Sequence, residues 1–230
     1  AGVASRRKAE EMILAGRISI DGQVVSVLGA RAEFGDDIRV DGRPISTPEE
    51  KRYLMLHKPP GYVTTVRDPQ GRPTVKSLMA GIPVRLYPVG RLDYDSEGLL
   101  LMTNDGDLAY GLQHPRFQVP KTYRVQVAGR ISPSDIDRLA AGIELQDGPF
   151  RPVRIRCERV TRDHSWLELT ITEGRNRIIR RAMDQMGYGV CRLIRVKIGD
   201  LRLGSLKKGE FRDLTRTERE TLAIFLKKFS

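Results

Sequence analysis

Residues 89–106 read Val89-Gly90-Arg91-Leu92-Asp93-Tyr94-Asp95-Ser96-Glu97-Gly98-Leu99-Leu100-Leu101-Met102-Thr103-Asn104-Asp105-Gly106. The run Leu99 to Met102 is short, apolar throughout and bounded by Gly98 and Asn104-Asp105-Gly106. That pattern predicts a strand buried on both faces. Before it stand Arg91, Asp93, Asp95 and Glu97, and these ionisable groups cannot all face a core. One reading is a charged loop capping the end of a sheet. The other is a site: the apolar flanks Leu86–Val89 and Leu99–Met102 anchor the loop at both ends, and a catalytic carboxylate requires rigid support.

Working outward, Tyr53-Leu54-Met55-Leu56 is a predicted strand ending at Lys58-Pro59-Pro60-Gly61. The segment Thr64 to Pro73, with Arg67, Asp68, Pro69, Gly71 and Arg72, reads as a loop. A helix from about Asp107 to Gln113 must stop before Pro115. Tyr123–Val127 and Trp166–Thr172 alternate with strand period, the latter with Leu167, Leu169 and Ile171 on one face. Arg177 to Met186 is helical, with Ile179, Ala182, Met183 and Met186 on one face and Gly187 as its stop. Strands outnumber helices and are mostly hairpin-spaced, so the expected class is α+β, a largely antiparallel mixed sheet with flanking helices.

The N-terminal part reads as a separate small module. Ser5 caps a helix running to about Ala15, with Gly16 at the stop position. Two ribbons follow, turning at Asp21-Gly22 and Asp41-Gly42, a dipeptide that marks tight hairpins. The polar, Pro-containing stretch around Ser46–Lys51 predicts a linker. The expected division is therefore 1–46, a linker at 47–52, and a larger domain at 53–230.

Lys and Arg number 40 against 29 Asp and Glu, a net charge of +11. Such an excess favours an anionic partner, nucleic acid ahead of lipid. Arg6, Arg7 and Lys8 crowd the first turn of the first helix, where cations oppose the helix dipole. A bound anion or a plain solvated helix end both account for them. No apolar run approaches the length of a bilayer span, and no secretory pattern is visible, so a cytoplasmic location is expected. Cys157 and Cys191 give no disulfide or zinc framework, and His57, His114 and His164 are scattered. No metal site follows. The chain also lacks a glycine-rich phosphate loop, so no cofactor is expected.

The string GRLDYDSEGLLLMTNDG strongly resembles the catalytic motif of the Rsu-type ribosomal RNA pseudouridine synthases. The segments LHKPPGYVTTVRDPQGRPTV, RLYPVGRLD, HPRFQVPKTYRV, EGRNRIIRR and IGDLRLGSLKKGEFRDLT match that family in order. AGVASRRKAEEMILAGRISIDGQVV resembles its S4 RNA-binding module, without the stretch that usually precedes it. The resemblance implies an S4-like module followed by a pseudouridine synthase catalytic domain that isomerises one rRNA uridine, more in the manner of the large-subunit (23S) branch.

Carried over by motif, the catalytic aspartate falls on Asp93, and only the motif selects it over Asp95 and Glu97. A carboxylate suits the reaction because it can add to the sugar or the base and leave again. The active-site tyrosine falls on Tyr123, whose ring can stack on a flipped uracil. The basic residue that pairs with the aspartate falls on Arg180, which helical spacing places at the border of the apolar face. Arg91 is implied to fill the space left by the flipped base, or to contact phosphate. Arg6, Arg7, Lys8, Arg177 and Arg181 are expected to face RNA or solvent. The sequence departs from the family at Ile178, where relatives usually carry Gln. Two other classes fit the residues: a non-catalytic RNA-binding assembly factor, and an RNA N-glycosidase using Asp93 and Asp95. Nothing suggests an extensive self-association surface, so a monomer is expected.

Overall fold

A computed structural model of the chain describes residues 2–33, 35–45 and 50–227, with the side chains of 225–227 excepted. The chain divides into two compact units, Ala1–Lys51 with Pro83–Arg85, and Arg52–Ile82 with Leu86–Ser230. Of the predicted linker, residues 47–49 lie outside the described residues.

In the first unit, α1 (Arg6–Leu14) starts at Ser5, whose hydroxyl accepts the Lys8 amide hydrogen at 3.3 Å. Its first-turn cations are partly matched from the next turn: Arg6 pairs with Glu10 and Lys8 with Glu11. Four short strands follow, β1 (Ile18–Ile20), β2 (Gln23–Val25), β3 (Ile38–Val40) and β4 (Arg43–Pro44), in the order β2-β1-β3-β4. Both ribbons turn where expected. Asp21 and Gly22 have φ of 49° and 80°, Asp41 and Gly42 50° and 75°. Two successive positive φ angles give a turn whose twist matches that of the strands, which is why Asp-Gly stands at both.

The second unit runs β5 (Tyr53–Lys58), a 3-10 turn at Val75–Met79, β6 (Tyr87–Val89), β7 (Glu97–Thr103), α2 (Gly106–Gln113), β8 (Lys121–Ala128), α3 (Pro133–Ala141), β9 (Ile143–Leu145), β10 (Gly148–Phe150), β11 (Arg154–Val160), β12 (His164–Ile171), α4 (Ile178–Gln185), β13 (Val190–Ile198), β14 (Leu201–Arg202), β15 (Phe211–Asp213) and α5 (Arg216–Lys227). Its main sheet is ordered β11-β12-β8-β13-β7-β5-β15, with β14 on β13 and β6 on β7. Every pairing in it is antiparallel except β13 with β7.

β7 is the spine of the sheet, buried at every residue. Leu99 and Leu101 join a core with Met55, Leu108, Leu112 and Leu222, and each such side chain contributes about 1.5–3 kcal/mol by leaving water. The strand starts at Glu97, two residues before the apolar run, because Glu97 is neutralised where it enters the sheet by Arg192 at 2.7 Å and Lys208 at 2.5 Å. Gly98 makes the parallel junction possible. A Cβ there would lie 2.3 Å from the Arg195 carbonyl oxygen, and its φ is +113°. Only glycine lets β13 come this close.

Candidate active site

The loop between β6 and β7 is anchored through its backbone as well as through its charges. Gly90 turns the chain out of β6 with φ of 72°. Thr64 donates its hydroxyl to the Leu92 carbonyl at 2.6 Å, and the Gly61 amide donates to the Tyr94 carbonyl at 2.8 Å. Lys58, fully buried at the end of β5, donates its ammonium to the carbonyls of Ser96 (2.7 Å), Asp93 (3.0 Å) and Pro59 (3.1 Å). Burial pushes that ammonium down to about 8, even though Asp93, Asp95 and Glu97 pull it the other way.

With the backbone fixed, the three rival carboxylates separate. Glu97 is inside the sheet with its two cations. Burial pushes its carboxyl up, but the hydrogen bonds and charges of Lys208 and Arg192 outweigh this and hold it below its usual range. Asp95 receives both guanidinium nitrogens of Arg177, at 3.2 and 3.1 Å. Burial raises it too, and Arg177 with Arg180 outweighs burial, so it also lies low. Asp93 alone of the three lines a cleft of about 690 Å³. Arg91, Lys121, Tyr123, Arg177 and Arg195 line it as well.

The arginine roles differ from those expected. Arg180 does not pair with Asp93. It is 7% exposed and donates to the Val190 carbonyl at 3.0 Å and the Asp95 carbonyl at 3.2 Å, with Asp95 Oδ2 also at 3.2 Å. Arg177, expected to face RNA, is the cation beside Asp93, with Nη1 3.8 Å from Oδ2. The reason is the entry to α4. Arg177 sits there in the left-handed region, φ 48°, with no side-chain cap, and this backbone turn returns its side chain to the β6–β7 loop. Arg181, on the same helix, is half-exposed and already paired. It grips Asp147 through both terminal nitrogens at 2.8 Å and the Asn176 carbonyl through Nε at 2.9 Å. Arg175 also binds Asp147, and with it the hairpin tip carbonyls of residues 147–149. Ile178 is buried and lines the cleft as an apolar contact.

Tyr123 lies on β8, 9% exposed, in register with Leu169 on one side and Arg195 on the other. Arg91 is exposed and lines the cleft. Arg6, Arg7 and Lys8 belong to the first unit, on α1. Lys58, Lys121 and Arg195 were not singled out from sequence. Lys121 and Tyr123 share strand parity, the one signal that could have placed Lys121 on the cleft face. No group of three metal-binding side chains occurs among the described residues, and no described helix is long and apolar enough to cross a membrane.

A carboxylate on a rigid loop and an aromatic ring, lining one arginine-rich cleft, fit chemistry on a nucleobase. The comparisons agree. The RNA pseudouridylate synthase profile matches residues 52–185, and the S4 domain profile matches residues 1–38. An RNA pseudouridine synthase of Aquifex aeolicus is 46% identical over 220 residues, 95% of this chain and 88% of the relative. The ribosomal large subunit pseudouridine synthase B of Bacillus subtilis is 42% identical, over 95% of this chain and 90% of that one. A crystal structure of a pseudouridylate synthase superposes with a TM-score of 0.67 at 32% identity, covering 96% of this chain and 95% of that one. With its N-terminal S4 domain and its catalytic fold, the chain belongs to the RNA pseudouridylate synthase family.

Proposed function

We propose that the protein converts a specific uridine of ribosomal RNA, in the 23S molecule, to pseudouridine, with Asp93 as the nucleophile. The observation that carries this is the sorting of the three acids: Asp95 and Glu97 are held by cations and do not line the cleft, and Asp93 lines it together with Tyr123. The large-subunit assignment rests on the Bacillus subtilis relative. The target uridine leaves its stack at a cost of a few kcal/mol. Stacking on Tyr123 returns about 1–3 kcal/mol, and Arg91, also lining the cleft, takes the vacated space or a phosphate. Arg177, with Nη1 3.8 Å from Asp93 Oδ2, is the counter-ion that accompanies this carboxylate in the cleft. Arg180 is a positioning residue that holds Asp95 and thereby the loop. Arg6, Arg7 and Lys8 hold RNA from the S4 domain. The division at 1–46 and 53–230 assigns binding to the first part and chemistry to the second.

The test is tritium release from 23S rRNA labelled at uridine C5. The wild type should release tritium without any cofactor, and Asp93→Asn should lose at least a thousandfold in rate while still binding the RNA. Activity in Asp93→Asn equal to the wild type would overturn the assignment. Appearance of free uracil would mean an N-glycosidase. Tight rRNA binding without tritium release or uracil would mean an assembly factor.

A further inference from the structure

The arginines of α4 and the loop before it each have a carboxylate: Arg175 and Arg181 on Asp147, Arg177 and Arg180 on Asp95. Besides the exposed Arg91, two other cations of the cleft, Lys121 and Arg195, have none among the described residues. Arg195 is 3% exposed, donates Nε to the Leu99 carbonyl at 2.8 Å, and leaves Nη2 buried without a hydrogen-bond partner. The Lys121 ammonium makes no hydrogen bond or ion pair among the described residues, although burial and the charge of Arg195 push it down to about 8. The strand pairing explains their proximity: Lys121 and Tyr123 of β8 are in register with Ile198 and Arg195 of β13. Removing cations from water without a counter-charge is costly, so such groups are normally paired. Two adjoining cations without a carboxylate, held together in the cleft, suit an anionic group of the substrate.

We propose that Lys121 and Arg195 form a subsite for the detached uracil, holding it as the uracil anion while it turns between its two bonds to the ribose. This rests on the isomerase reading and deepens it. In the first step the N1–C1′ bond breaks and its electron pair stays on the uracil ring, shared between N1 and the carbonyl oxygens. C1′ is left electron-poor and is met by the Asp93 carboxylate. The ring turns, C5 supplies the electron pair of the new C5–C1′ bond, the carboxylate leaves, C5 gives up its proton, and N1 takes one up. Only between these steps does the base carry a full negative charge. Cations fixed beforehand in a water-poor site stabilise charge that develops during reaction without reorganising. The surroundings suit a base better than a phosphate, since the ring of Tyr123 and the apolar side chains of Ile171, Leu193 and Ile198 line the same cleft.

The test compares the full-length wild type with Lys121→Met and Lys121→Arg in single-turnover tritium release from C5-tritiated 23S rRNA, together with filter-binding Kd for that RNA. The expected result is a rate for Lys121→Met at least tenfold below wild type at saturating protein, with Kd within twofold, and recovery of most of the rate in Lys121→Arg. A rate loss under tenfold overturns the proposal. So does a loss mirrored by an equal rise in Kd, which would mark Lys121 as a phosphodiester contact. If Lys121→Met does not fold by circular dichroism, Lys121→Gln is read against Lys121→Arg on the same criteria. Should the wild type itself release no tritium, the isomerase reading fails and this proposal falls with it.

Discussion

Replacing Lys58 by Met tests whether the Asp93 loop is held by its backbone. At pH 7 the wild type keeps an ammonium charged in a place that lowers it from 10.5 to about 8, a cost of about 3 kcal/mol. Methionine relieves that cost and fills similar volume. Against this, the carbonyls of Pro59, Asp93 and Ser96 lose their donor. Hydrogen bonds to a charged group are worth about 1.5–3 kcal/mol each, so the loss of three exceeds the relief and Lys58→Met should destabilise by about 1.5–6 kcal/mol. Urea unfolding at pH 7 measures this as a fall in midpoint at unchanged slope. The pH dependence supplies a second reading. Between pH 8 and 10.5 the unfolded lysine holds a proton that the folded one has released, so this group makes stability rise with pH in that window and contributes no slope below it. The variant should lose that share of the rise, while the share from Lys121, which is lowered in the same way, persists. Tritium release should fall more than tenfold, since the carbonyl of Asp93 itself is freed. A variant as stable and as active as the wild type would refute the reasoning.

Arg180→Met should cost about 2–5 kcal/mol in urea unfolding, because the Val190 and Asp95 carbonyls lose a buried donor; a rate loss without a stability loss would mean that it acts on Asp93 directly. Gly98→Ala drives a Cβ to 2.3 Å from the Arg195 carbonyl oxygen at a φ of +113°. The β13–β7 junction should open, at a cost of about 3 kcal/mol or more, read as a fall of about 6–12 °C in Tm; an unchanged Tm would show that the close approach is not required. Arg6→Gln, Arg7→Gln and Lys8→Gln together should weaken rRNA binding and lower the slope of log K against log salt by about 2–3, and an unchanged slope would remove α1 from the RNA interface.

What the sequence disclosed and what it withheld divide along a physical line. The Asp21-Gly22 and Asp41-Gly42 turns, the buried run at Leu99 and the stop before Pro115 are local: each is set by the conformations its own residues allow. The roles of the arginines are not local. Helical spacing placed Arg180 correctly at the edge of the apolar face of α4, and it is indeed buried, but spacing along one helix cannot say which of two aspartates, two residues apart on a distant loop, it meets. That choice depends on Arg177 taking a left-handed backbone at the helix start, a conformation that residues other than glycine adopt rarely. The turn brings Arg177 round to Asp95 and to within 3.8 Å of Asp93, leaving Arg180 to the Asp95 backbone behind it. Lys58 was hidden for a related reason. A lysine between a strand and two prolines looks like a surface residue until the loop that needs its ammonium has folded over it. The three acids of the loop part for the same reason: Asp95 and Glu97 are taken up by cations that the fold delivers from elsewhere, and of the three only Asp93, the proposed nucleophile, lines the cleft.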